Sequence, residues 1–169
     1  MRNPLLLKAP NLLLMAVCLL VCAPLAKTQA DNETIIRRYF EEWANKANPR
    51  AADELIATDV VVHHGDVASK GLDAFKKSMA GFHLAFPDLR FTVEDLVSSS
   101  GKVFVRWRLA ASQQGEFMSQ PPSGRRINVT GMSLFRLEEG KIGEIWVNMD
   151  RLELMRQLGL ATLGAPAQT

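Results

Sequence analysis

The domain that follows the first thirty residues contains no cysteine. Both cysteines of the 169-residue chain, Cys18 and Cys22, lie in the apolar N-terminal segment. If that segment is removed, the remaining domain has no disulfide, no thiol nucleophile and no cysteine-ligated metal site. Its stability must then come from a hydrophobic core, which about 139 residues can supply.

The domain also lacks an excess of charge of either sign. The whole chain has 20 Lys and Arg against 18 Asp and Glu, but Arg2, Lys8 and Lys27 all lie in residues 1–30, which contain no acid. Without those three, 17 basic residues stand against 18 acidic ones, a net charge of −1. A near-neutral domain with dispersed charges does not have the basic face that nucleic-acid binding requires, so no nucleic-acid partner is expected.

The N-terminal segment has the composition of a signal peptide. Arg2 and Lys8 give a positive start, and the apolar run over 11–26 is too short to span a bilayer well. Thr28 and Ala30 put small residues at the two positions that a signal peptidase reads before Asp31. Cleavage after Ala26 and retention as an uncleaved anchor are the alternatives. We therefore expect export to the periplasm or the medium, with no stable membrane insertion after cleavage.

The hydrophobic period changes from helical to strand-like along the chain, with no repeat, linker or second domain. Helical spacing covers 31–49, 48–59, 71–88 and 151–159, and strand patterns cover 60–65, 89–99, 102–112, 127–137 and 141–150. This order predicts an α+β fold over residues 31–160, in which N-terminal helices pack on a curved, mainly antiparallel sheet and enclose a pocket. A flexible tail is expected over 161–169.

Alternation predicts which side chains of two strands share a face. In 102–112, Val103, Val105, Trp107 and Leu109 should meet the helices. In 141–150, a mixed set shares one face: Ile142, Glu144, Trp146, Asn148 and Asp150. That face could point outward, or it could line the pocket, and periodicity does not decide between the two.

Three residues are candidates for proton transfer. Asp150 stands where the last strand meets the last helix, so it is either an N-cap or a general base at the pocket mouth. His63 and His64 end the first strand, and adjacent strand residues face opposite ways, so at most one of them points into the pocket. No third ligand stands at metal-site spacing, so no metal is expected.

Several of these stretches together resemble the SnoaL-like polyketide cyclases, also called ester cyclases. The stretches are "FPDLRFTVEDLV", "GEFMSQPPSGRRI", "GKIGEIW" and "RLELMRQLG", and the match runs from Thr34 to Gly159. The resemblance implies the nuclear-transport-factor-2-like cone. It also implies a cofactor-free enzyme that closes a polyketide ester ring by intramolecular aldol condensation, with a carboxylate removing a proton and a histidine assisting.

Compared with the family pattern, two positions of this chain differ. Gln113 stands where members usually have histidine, and Asn128 lies near the position of the catalytic acid. Neither amide can act as a base at neutral pH, although both can form hydrogen bonds with a ligand.

The sequence is therefore compatible with two functions. The first is a cyclase- or isomerase-type enzyme acting on a small hydrophobic, carbonyl-bearing ligand. The second is a non-catalytic protein that binds such a ligand in the same pocket. The sequence is also compatible with a homodimer that forms through the sheet. The candidate ligand-binding residues are Gln113, Asn128, Trp107, Trp146, Glu144, Asn148 and Phe86.

Overall fold

Four helices and six strands make up residues 31–161, the part of the chain that this computed structural model describes. The expected signal peptide and all but the first residue of the expected tail lie outside those residues. Helix α1 is α-helical over 31–38 and π-helical over Tyr39–Ala44, α2 spans Pro49–Leu55, α3 spans Leu72–Ala85 and α4 spans Arg151–Gln157. The strands are β1 (Ile56–His64), β2 (Val67–Lys70), β3 (Arg90–Ser99), β4 (Lys102–Ser112), β5 (Arg126–Glu138) and β6 (Lys141–Met149).

The strands form one mixed sheet in the order β2-β1-β6-β5-β4-β3. Only β1 and β6 pair in parallel among these neighbours, and the other four pairings are antiparallel. Ser100 and Gly101 connect β3 to β4, and Glu139 and Gly140 connect β5 to β6, with positive φ at both residues of each pair. Two such residues are what a tight hairpin turn needs. The sheet is open, and the expected α+β architecture with a mainly antiparallel sheet is confirmed.

The elements begin at residues that can satisfy free backbone donors. The side chain of Asn48 accepts a hydrogen bond from Arg50 N at the start of α2, with Pro49 as the first helical residue. Helix α2 ends at Leu55, so the prediction that it extends over 48–59 was too long. Residues 56–59 instead begin β1, and Ile56 pairs there with β6. The short strand β2 was not predicted.

The core lies between one face of the sheet and the helices. On β4, Val103, Val105, Trp107 and Leu109 are at most 3% exposed, which confirms the predicted partition of this strand. On β6 the pairing shifts beside Gly143, and Ile142 and Ile145 are both buried. Within residues 31–161, no helix combines the length and apolarity needed to cross a bilayer.

Candidate functional site

A cavity of about 880 Å³ opens between the inner face of the sheet and the helices. Its volume lies within the roughly 300–1,000 Å³ range of small-molecule sites. About half of its lining residues are aromatic or methionine. The apolar lining residues with rings or sulfur are Tyr39, Phe40, Phe75, Met79, Phe82, Phe91, Trp107, Phe117, Met118, Phe135, Met149 and Met155.

Trp107 forms the floor of this cavity on β4. Its indole Nε1–H donates to Ser133 Oγ at 2.9 Å, and Phe91 packs edge-on against the ring with centroids 5.2 Å apart. The ring lies over the neighbouring strand because Gly131, its partner on β5, has no side chain. The position of the Trp107 ring is therefore fixed by its hydrogen bond to Ser133 and by the space that Gly131 leaves for it.

Tyr39 places a phenol in the cavity wall from the π-helical turn of α1. The residue is 7% exposed, and its ring packs edge-on against Phe40 and Phe135. Burial raises the pKa of the Tyr39 hydroxyl well above its usual range. Its hydroxyl has no hydrogen-bond partner among the described residues. Tyr39 therefore offers a protonated, unused donor to a ligand.

His64 and Arg151 bring two basic groups to the rim of the cavity. His64 ends β1, and Arg151 begins α4 just after β6, so both follow the carboxyl ends of the parallel pair of strands. Burial lowers the pKa of the His64 imidazole, and the positive charge of Arg151 lowers it further. His64 is consequently neutral at pH 7 and can accept a proton.

Its neighbour His63 lies on the opposite, outer face of the sheet, as strand alternation requires. The His63 ring stacks on Trp146 at 5.1 Å, and its Nε2 lies 2.8 Å from Glu144 Oε1. Arg136 pairs with Glu144 at 2.9 Å and lies 5.2 Å from the centre of the Trp146 ring. The structure therefore brings His63, Glu144 and Trp146 together, but outside the cavity.

The loop between β4 and β5 is held by Gln113. This buried amide donates from Nε2 to the carbonyl oxygen of Pro121 at 3.1 Å and accepts from Ser123 Oγ at 2.6 Å. The backbone N–H groups of Gln114 and Gly115 donate to Ala85 O at the end of α3. Gln113 thus fastens the loop that carries Phe117 to the cavity, and it does not itself line the cavity.

Three further candidates from the sequence lie in three different environments. Asn128 is exposed on the outer face of β5, where its backbone exchanges hydrogen bonds with the Gln157 side chain. Asp150 caps α4, since its Oδ1 accepts from Glu153 N at 2.9 Å. Phe86 is fully buried behind Phe82 and Phe117.

Asn148 belongs to the cavity lining. However, its partner on β5 is the exposed Met132 of the outer face. Because side chains alternate along a strand, the Asn148 side chain points outward and only its main chain lines the cavity.

Sequence reasoning did not identify Tyr39 or Arg151 as site residues. Tyr39 is the single tyrosine of the chain, and a lone phenol among the apolar positions of an amphipathic helix was the available signal. For Arg151 the sequence offers no signal beyond its position beside Asp150. Within residues 31–161, no cluster of three or more His, Cys, Asp or Glu side chains is arranged to hold a metal ion.

The fold and the cavity together define an α+β domain that encloses a small-molecule pocket. The family model for SnoaL-like polyketide cyclases matches residues 34–158, so the chain belongs to this family. Its structural neighbours include SnoaL-like polyketide cyclases, which agrees with the α+β fold expected from the sequence.

Several solved structures are similar to it. A candidate SnoaL-like polyketide cyclase from Jannaschia sp. CCS1 is 26% identical, with 79% of this chain and 95% of that chain covered and a TM-score of 0.74. TsrD from Streptomyces laurentii is also 26% identical, with 79% and 98% covered and a TM-score of 0.71. AclR from Streptomyces galilaeus, a candidate hydroxylase, is 25% identical, with 79% and 99% covered and a TM-score of 0.71. No match to a curated protein was found.

Proposed function

We propose that this chain binds a small hydrophobic carbonyl compound and moves a proton at the carbon next to the carbonyl group, without a cofactor. The observation that carries the proposal is His64, a neutral imidazole at the rim of a mainly apolar cavity. Tyr39 supports it, because its unpaired hydroxyl can donate to the carbonyl oxygen. These two side chains supply the two groups that enolisation requires.

The chemistry follows from the two groups. His64 takes the proton from the carbon, the electron pair of the C–H bond forms a carbon–carbon double bond, and the π electrons of the carbonyl group move onto its oxygen. A hydrogen bond from Tyr39 stabilises the negative charge that develops there. In an unsaturated ketone, the dienolate takes the proton back from His64 at a carbon farther along the conjugated system, which is isomerisation. In a compound with a second carbonyl group, the enolate attacks that carbonyl carbon and the resulting alkoxide takes the proton back from His64, which is cyclisation. The apolar wall would hold a folded ligand with its reacting carbons close together.

A second candidate is a binding protein without turnover. Three observations favour it. Gln113 holds a loop, Asn128 lies on the outer face, and Asp150 caps a helix, so none of the side chains at these positions supplies a base inside the cavity. In that case the same aromatic wall and the Tyr39 hydroxyl would bind the ligand, and His64 would be a hydrogen-bonding group only.

Deuterium exchange separates the two candidates. We expect the protein to speed the exchange of the protons next to the carbonyl of β-tetralone in D₂O, measured by proton NMR. The catalysed rate should rise with pH through a pKa below about 6.5 and then level off, because only neutral His64 accepts a proton and its pKa is lowered. Binding of the ketone without any acceleration would instead establish the non-catalytic candidate.

We also propose that the domain is exported and pairs with a second copy through the outer face of its sheet. The composition of residues 1–30 supports export. Val97 and Phe104, partners across β3 and β4, support pairing because they are 58% and 38% exposed on that face. Native mass spectrometry of the exported protein should give twice the mass of a chain beginning at Asp31. A chain that retains residues 1–30 would refute cleavage, and a monomer mass would refute pairing.

A further inference from the structure

The rim of the cavity is basic on one side. His64 and Arg151 both line the cavity there, and both are exposed at its edge. Among the described residues, no carboxylate lies within ion-pair distance of either side chain. Most other arginines that face the sheet surface are paired, as Arg106 and Arg108 are with Glu94. Arg151 is therefore a free guanidinium at the entrance to an apolar chamber.

The interior of the cavity is apolar, in contrast to its basic rim. Phe82, Phe117 and Met79 belong to its wall, and the first two meet edge-on with ring centroids 5.9 Å apart. The one acidic side chain in the lining is Glu116, which is exposed in the loop between β4 and β5. A ligand that satisfies both regions has an apolar body and an anionic end.

We infer that the cavity takes an amphipathic acid, whose apolar body fills the aromatic chamber and whose carboxylate pairs with Arg151 at the rim beside His64. A guanidinium suits this group because it can donate two parallel hydrogen bonds to a carboxylate. The inference deepens the proposed function and rests on it for the identity of the site. It narrows the ligand from any hydrophobic carbonyl compound to one that carries a free acid.

The test compares a fluorescent acid with its neutral ester. Pyrenebutyric acid and its methyl ester share one apolar body, and only the acid is charged at pH 7. We expect the acid to bind the full domain from Asp31 about tenfold more tightly than the ester, since one charge-assisted pair supplies an increment of that order. Arg151→Gln should abolish the preference, and Arg151→Lys should restore part of it. Arg126→Gln, the same substitution at an exposed arginine outside the cavity lining, should leave the preference intact.

The outcomes distinguish this inference from the function on which it rests. If the wild-type domain binds the acid and the ester equally tightly, the inferred preference for a carboxylate is wrong, but the apolar binding site is supported. If the wild-type domain binds neither compound, the proposed ligand site itself is wrong. An NMR titration gives a second readout. Bound pyrenebutyrate should raise the pKa of His64 because a negative charge lies beside it, whereas the ester should not. An unchanged His64 pKa with bound acid would place the carboxylate elsewhere and refute the inference.

Discussion

Gly131→Ala is expected to lower the free energy of unfolding by about 3 kcal/mol, the upper part of the usual range for an overpacked core. A methyl group at this position would overlap the Trp107 ring and would lie 2.8 Å from the carbonyl oxygen of Asn148. Trp107 cannot easily move, because its indole N–H is bonded to Ser133 and its ring is 3% exposed. The Asn148 oxygen belongs to the backbone of β6 and cannot rotate away.

Urea unfolding followed by tryptophan fluorescence would measure the change. Gly143→Ala is the matched control, since Gly143 also lies in a strand and a methyl group there meets nothing within 4 Å. It should change the free energy of unfolding by no more than about 0.5 kcal/mol. Trp107→Phe in the Gly131→Ala background should recover part of the loss, because the smaller ring leaves room for the methyl group. A Gly131→Ala domain as stable as the wild type would contradict the close packing of the cavity floor.

Strand β4 shows why much of the fold could be predicted from the sequence. Every second residue from Val103 to Ala111 is apolar, so this pattern alone predicts which face is buried. The change from helical to strand periodicity after residue 88 likewise predicted an α+β order. Both signals are local, because they depend on neighbours in the chain rather than on distant partners.

Strand β6 shows where local signals fail. The shift in pairing beside Gly143 lets Ile142 and Ile145 both be buried, although simple alternation places them on opposite faces. Glu144 and Trp146 then face outward, where the stacked His63 and the paired Arg136 complete a cluster drawn from three strands. A strand such as β6 has polar and apolar residues on the same face. Which of its faces is buried depends on the strands it pairs with, so the sequence of the strand alone does not predict it.

The candidate site was predictable in part for the same reason. Alternation allowed only one of His63 and His64 into the cavity, but the choice between them is made by the register of β1 against β6. Gln113 was considered a ligand-binding residue because the family has a histidine there. Its actual partners, Pro121 and Ser123, are eight and ten residues away in an irregular loop whose path no periodicity describes.

His64→Gln is expected to reduce the catalysed exchange of β-tetralone protons by at least about 10²-fold, the lower end of what a positioned general base contributes. Glutamine keeps a polar side chain of similar length and can still form hydrogen bonds, but it cannot take a proton at neutral pH. Ligand affinity should therefore change little while the rate falls. His64 lies at the rim with part of its surface exposed, so the substitution should cost little stability.

His63→Gln is the control that this chain offers, because it makes the same chemical change one residue away on the outer face. It should disturb the pair with Glu144 and the stack on Trp146, and so lower stability, while it leaves the exchange rate unchanged. If His63→Gln and His64→Gln slow exchange equally, the loss is structural and His64 is not the base. If neither slows it, the proton is taken by another group of the lining, and Glu116 is the remaining carboxylate there. If only His64→Gln slows the exchange, His64 is the residue that takes the proton.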